Sequence, residues 1–327
     1  VRPGRERLSG RDTRRHHTPL AVQRLVAQLV DTLIVMIGVS TLVFLLLALI
    51  PGDPVDVVLG ESAQAADRDA MRIALGLDRP WPERLFDFYA GLATGDLGDS
   101  LIRREPVLGL ILDRLPATLT LAGAAFLLVV LIGIPLGVTA ARHRDRWPDR
   151  TAQLVSLIGI SIPNFWLGPL LVLLFSIGLG LTPVSGNQSP VGLVLPAVTL
   201  GLSMLAITAR MMRSAMLEIT AMPYLQTARC KGLSETRVTW RHALPNAMLP
   251  TLTVLGLQLG SLLGGAVITE VVFAWPGIGT LLIEAIQQRD YPLVQGIVLF
   301  IALSYVVINR CTDLLVGILD PRTREAR

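Results

Sequence analysis

The sequence predicts an all-α membrane protein with six transmembrane helices, on three observations. Of its 327 residues, 52% are apolar and 17% charged, with a mean hydropathy of +0.58, whereas soluble domains carry about 25% charged residues. Six stretches are free of charge for most of their length and long enough to cross a hydrocarbon core, which takes about 20 residues at 1.5 Å each. Arginines crowd the loops on one side of those stretches, as they do in cytoplasmic loops.

Residues 1–24 are Arg-rich, include "RRHH" and have no apolar periodicity, which reads as a disordered cytoplasmic tail. The first span, 25–50, is uncharged from Leu33. It is longer than the apolar region of a signal peptide, about 7 to 15 residues, and is kept as a helix. "PGDPVDVVLG" from Pro51 to Gly60 is a turn-rich exit into an acidic extracytoplasmic segment, 51–114. Within it Pro82 and Glu83 can open a helix that brings Leu85, Phe88, Tyr89 and Leu92 onto one face at i, i+3, i+4 and i+7. That face is expected on the chain's own helices or on a partner.

A core of five further helices is expected over 115–318, with spans at 115–141, 151–180, 191–209, 246–269 and 291–315. The third span of the chain contains "SIPNFWLGPLL", where Pro163 and Pro169 each remove a backbone hydrogen bond and should kink the helix. Asn164 beside the first kink is a candidate for the translocation pathway, or a group that satisfies the freed carbonyls. In the fifth span Gly256, Gly260 and Gly264 recur at every fourth position and smooth one face for close helix approach. Gln258 and Ser261, near mid-depth, can line a conduit or bond across helices.

Arg142, Arg144, Arg146 and Arg150 fill one loop, and Arg210, Arg213, Arg229, Lys231, Arg237 and Arg241 another. Both loops, with the N-terminal tail and a C-terminal tail over 319–327, belong on the cytoplasmic side of the membrane. On the opposite side, 181–190 carries no charge and Arg289 is the lone cation of 273–290. Cys230 and Cys311 lie at or near the inner face, where thiols stay reduced. The net charge of +4 reflects these inner arginines and implies topology, not a nucleic-acid partner.

Several function classes are disfavoured. An ion-coupled carrier needs ionisable groups at depth, and Asp31, Glu270, Arg310 and Asp313 all fall near span ends, where Arg310 and Asp313 can pair. A phosphate loop needs a Gly-Lys-Ser/Thr run, and the only lysine, Lys231, sits between Cys230 and Gly232. The four histidines form no paired metal motif, so no cofactor or metal is expected on this chain. If cargo moves uphill, the energy has to arrive through a partner.

A polar interruption is where such a partner would act. Within 214–245, Pro223 suits a first helical position and Gly232 the position just past a helix end, giving one short helix over 223–231. Ser234 can cap a second, with Glu235 in its first turn, expected to run to about Leu244 and stop at Pro245. Alternatively the stretch is only a solvated basic loop obeying charge asymmetry.

Here the residues resemble the EAA loop of ABC-importer permeases: Glu-Ala-Ala, three residues, Gly, nine residues, then Ile-x-Leu-Pro. The matching positions are Gln226, Thr227 and Ala228, then Gly232, then His242, Ala243, Leu244 and Pro245, with Gln, Thr and His as departures. "PGDPV", "LGLDRPWPER", "GDLGDS", "WPGIG" and "LDPR" extend the likeness to the dipeptide, oligopeptide and nickel subgroup over nearly the whole chain after Arg24.

The resemblance implies a type I importer permease that pairs with a second homologous permease in the lipid bilayer. Two ATP-binding cassette subunits would bind beneath the pair, and a separate extracytoplasmic binding protein would deliver substrate. The eight matching residues would then couple to the ATPases. Di- or oligopeptide import is the leading expectation, with nickel, nickel-chelate or glutathione uptake as rivals; a secondary transporter or a membrane scaffold are the readings from other classes.

Overall fold

A computed structural model describes residues 20–49, 55, 59, 64–74, 76–187 and 189–319. The tail before Leu20, most of the "PGDPV" exit and the tail after Leu319 lie outside them. Helix α1 (Leu20–Leu49) is followed by two short helices, α2 (Ala65–Ala74) and α3 (Trp81–Thr94). A long helix, α4 (Val107–Arg142), then runs through Pro116 and widens to a π turn over Val129–Gly133. Pro135 follows at once and has no N–H to donate, so the wider turn lets the ladder continue around it.

Helix α5 (Trp147–Ser161) ends because Pro163 forces Ile162 out of the helical region, to φ −91° and ψ 118°. Its continuation α6 (Asn164–Leu171), extended by a π stretch to Gly178, leaves at 108° to it. Helix α7 (Val194–Thr220) follows a 3-10 turn capped by Ser189. Then come α8 (Pro223–Cys230), α9 (Leu244–Val272), α10 (Ile278–Gln287) and α11 (Tyr291–Leu319).

Three of these units, Val107–Arg142, Pro190–Thr220 and Tyr291–Leu315, are each long and apolar enough to span a membrane. Two bent pairs, α5 with α6 and the two arms that meet at 54° within Glu235–Val272, raise the number to five. The apolar part described for α1, Val30–Leu46, is shorter than a full crossing, so the described residues stop short of the six spans expected.

Helix α7 is the centre of the larger core, in which Leu121 and Val129 of α4 and Leu255 and Leu262 of α9 are buried with Leu200, Leu205 and Met212 of α7. Gly137 lets α4 approach so closely that an added Cβ would overlap the Ala209 carbonyl and Met212. The expected glycine face of α9 is used at two of its three positions: Gly256 and Gly260 face Thr312, Asn309 and Tyr305 of α11, while Gly264 meets nothing within 4 Å.

A second core joins Val107 and Ile111 of α4 to Leu281 and Ala285 of α10 and Leu293 and Ile297 of α11. The face predicted for α3 is half-buried at Leu85, Phe88, Tyr89 and Leu92, and it docks on α1. The Tyr89 hydroxyl lies 2.9 Å from Ser40 Oγ and donates to the Ile37 carbonyl at 3.1 Å, and the rings of Phe88 and Phe44 are 6.5 Å apart.

Two expectations are corrected here. Arg310 pairs with Asp31 of α1 at 3.6 Å, not with Asp313, because the neighbouring helix brings a carboxylate closer than the next turn does. The second short helix does not stop at Pro245. One α turn, Glu235–Arg237, passes through a π turn, Val238–Ala243, straight into α9, whose first turn contains Pro245. Proline is tolerated there because the wider π turn ahead of it carries the ladder past the missing N–H.

Candidate functional site

The polar stretch between α7 and α9 forms a hinge. Pro223 opens α8, and the helix closes on Gly232, whose φ is +78°, a left-handed conformation that costs other residues roughly 1 to 2 kcal/mol. The Gly232 N–H donates to the Arg229 carbonyl at 2.9 Å and the Leu233 N–H to the Ala228 carbonyl at 3.4 Å, the paired bonds of a Schellman cap. Ser234 Oγ then accepts from the Arg237 N–H at 3.5 Å and opens the next turn. An ion pair between Arg229 and Glu235, 2.9 Å, bridges the glycine from one helix to the other.

One side of α8 is packed and the other is open. Leu225 and Ala228, three apart, are buried in the same core as Val238, Ala243 and Ala247 and the α7 residues Met212 and Met216. Gln226 and Thr227 point away and are exposed, as are Tyr224, Lys231, Gly232 and Pro245; His242 and Leu244 are half-buried. The Tyr224 hydroxyl donates to the His242 carbonyl at 3.3 Å and accepts from Asn246 Nδ2 at 3.0 Å, fastening α8 across the start of α9. Of the eight residues expected to couple, Ala228 and Ala243 thus hold the hinge together, while Gln226 and Thr227 present its outer face.

Behind the hinge, Arg213 near the end of α7 makes a two-pronged bond to Asp149 at the start of α5, at 2.5 and 2.7 Å. Asp149 is fully buried and also accepts from the Asp145 N–H and Gln153 Nε2. This ties the start of α5 to the end of α7, beside the hinge.

The three pathway candidates are not gathered into one cluster. Asn164 is half-buried at the 108° break, as the first residue of α6. Gln258 is buried, with Nε2 3.4 Å from Thr208 Oγ1 of α7 and its Oε1 without a partner. Ser261 is exposed and donates to the Gln258 carbonyl at 2.8 Å. Among the described residues no three His, Cys, Asp or Glu side chains gather as a metal site.

Sequence reasoning missed the opposite corner. Glu270, expected at a wet span end, has no exposed surface. Its carboxylate accepts from Thr118 Oγ1 at 2.7 Å and from the backbone N–H groups of Gly279 and Thr280 at 2.7 and 3.2 Å. Thr118 in turn accepts from the Ile278 N–H at 2.8 Å, and Trp275 Nε1 donates to the Ala117 carbonyl at 2.8 Å. A Cβ at Gly277 or Gly279 would overlap this carboxylate or the α9 backbone, which explains both glycines of "WPGIG". The available signal was Glu270 lying just ahead of that motif.

"GDLGDS" has a similar role. The buried Asp290 accepts from Ser100 Oγ and from the Leu101 N–H at 3.2 Å, fixing the loop before α4 to the start of α11.

The bundle thus has apolar helices long enough to span a membrane, a tightly bonded polar corner at Glu270 and an exposed polar hinge at α8. The chain belongs to the family described as the binding-protein-dependent transport system inner membrane component, which matches residues 133–325; the N-terminal component of such systems matches 21–122. It is a transport subunit, not an enzyme.

Among its relatives, the di/tripeptide transport system permease protein DppB of Pseudomonas aeruginosa (strain UCBPP-PA14) is 44% identical over 319 residues, covering 89% of this chain and 95% of the relative. The glutathione transport system permease protein GsiC of Escherichia coli (strain K12) is 39% identical over 303 residues, covering 93% and 98%. The fold is similar to that of the inward-facing MetNI methionine ABC transporter, at a TM-score of 0.56 and 22% identity over 66% of this chain and 99% of that one.

Proposed function

We propose that this chain carries di- or tripeptides inward across the bacterial inner membrane, in a complex with a second permease, two ATP-binding cassette subunits and an extracytoplasmic binding protein. The observation that carries the coupling part is the hinge: a short helix with one face packed and the other exposed, held by a glycine and chained to two core helices. Gln226 and Thr227 meet the ATPase, Gly232 sets the angle between the helices, and Ala228, His242, Ala243, Leu244 and Pro245 transmit the push into α9. Six spans with both termini cytoplasmic put this hinge, and the arginines around it, inside.

The peptide assignment rests on relatives whose own names state di/tripeptide transport, at 44% identity over most of the chain. Glutathione is the second reading, because a relative named for it is nearly as similar.

Uptake of labelled dipeptides, tripeptides and glutathione in cells with and without the chain tests both. Loss of ATP-dependent dipeptide uptake on deletion is the expected result. Loss of glutathione uptake alone would move the assignment to the second reading, and unchanged uptake of all three would overturn the substrate class.

A further inference from the structure

A cavity of about 600 Å³ opens where the inner ends of α4, α5 and α7 diverge. Its polar end carries Arg150 of α5 and Arg210 and Arg213 of α7. Arg213 is committed to Asp149. Arg150 and Arg210 are exposed, and neither guanidinium has a hydrogen-bond or ion-pair partner among the described residues. The transport mechanism proposed above uses neither of them.

Apart from Gln153, which is bonded to Asp149, and the buried Ser156, the rest of the lining is apolar. Leu154 and Leu157 follow Arg150 at i+4 and i+7, so cation and leucines share one side of α5. Both leucines are 56% exposed, continuing the cavity wall as a greasy strip toward mid-membrane. Trp147, 75% exposed at the first turn of α5, stands where the headgroup layer would lie. Two free cations above an apolar strip match an anion joined to a hydrocarbon chain. An inorganic anion would use the arginines and leave the strip uncovered, and a peptide would find no acidic partner for its amino end in the lining.

We propose that this cavity is a binding site for an anionic phospholipid of the inner leaflet, its phosphate held between Arg150 and Arg210 and an acyl chain laid along Leu154 and Leu157. Basic pockets between helices at the cytoplasmic surface take such headgroups, and guanidinium forks suit phosphate oxygens. The lipid would bridge α5 to α7 beside their Asp149–Arg213 bond, bracing the helix that leads into the hinge. The proposal rests on the orientation given above, with the arginine-rich end inside.

The test uses the whole transporter, this chain with its partner permease and ATPase subunits, in nanodiscs of phosphatidylcholine with a fixed fraction of phosphatidylglycerol. Lipid retained after extraction is counted by mass spectrometry. The wild-type complex should retain phosphatidylglycerol preferentially. The double variant Arg150→Gln/Arg210→Gln should lose about thirtyfold of that preference, and Arg150→Gln alone, which serves if the double variant does not assemble, about fivefold.

Lysine at both positions should keep most of it. Retention unchanged in the glutamine variants overturns the site, and displacement of the lipid by millimolar inorganic phosphate overturns the lipid in favour of a soluble anion.

The orientation is read separately in intact cells. A membrane-impermeant maleimide should leave Cys230 unlabelled on a Cys311→Ser background until the inner face is opened. Labelling from outside would refute the orientation without touching the lipid count.

Discussion

The two polar ends of the bundle solve opposite problems. At the corner between α4, α9 and α10, Glu270 is fully buried and its carboxylate receives three hydrogen bonds, from Thr118, Gly279 and Thr280. At the α8 hinge the ion pair across Gly232, Arg229 with Glu235, is partly exposed, and the backbone turn itself is in solvent. A buried carboxylate that loses its partners leaves an uncompensated charge, and one that is removed leaves several orphaned donors, so that corner is held in one arrangement. An exposed pair exchanges its partner for water at little cost. The comparison teaches where this permease depends on buried polar bonds and where on apolar packing: the carboxylate corner holds α4, α9 and α10 by hydrogen bonds, whereas α8 is held mainly by Leu225 and Ala228 in the core.

Removing the carboxylate is the harshest way to break that contrast. Glu270→Ala should destabilise the folded protein by several kcal/mol, since each buried donor left without its acceptor costs roughly 1 to 3 kcal/mol. Thermal unfolding of the detergent-solubilised complex measures it, and Glu270→Gln should lose clearly less because it keeps the acceptor oxygen. A melting temperature unchanged in the alanine variant would mean that the corner is not the rigid element.

At the hinge the larger effect should be on transport. Gly232→Asp puts a charged side chain at φ +78°, on the exposed turn between the two helices. It should abolish most uptake while the protein still inserts, with the ATPase partner active; normal uptake would remove the hinge from the coupling path. The mildest change sharpens the comparison from the other side. Arg229→Ala should cost no more than about 1 kcal/mol and leave uptake close to wild type, since the pair is partly exposed. A loss comparable to that of Gly232→Asp would mean that the bridge, and not the glycine, sets the angle.

The hinge was largely legible along the chain because its determinants are local. Pro223, Gly232 and Ser234 act on their own backbone and its next few residues, so their spacing suffices to mark two helix ends. The docked face of α3 was legible for the same reason: one helical period orders Leu85, Phe88, Tyr89 and Leu92. Pro245 misled, because a proline stops a helix only where an N–H is needed, and the π turn ahead of it removes that need.

Glu270 and Arg310 misled for a different reason. A charge near the end of an apolar run reads as a surface group, and the partners that change this are distant in the chain: Thr118 lies 152 positions from Glu270, and Arg310 reaches back to Asp31.

The sequence by itself determined the class of protein, its apolar helical character and the turn chemistry of the hinge. Each of these depends on composition or on residues within a turn of one another, where no distant contact can intervene. Only the tertiary structure decided that Glu270 is sealed inside by the "WPGIG" turn, that Asp149 locks α5 to α7, and that Arg150 and Arg210 come to share one cavity. Those depend on which helices become neighbours, which is settled by packing the apolar faces of the whole bundle, and no local pattern encodes it.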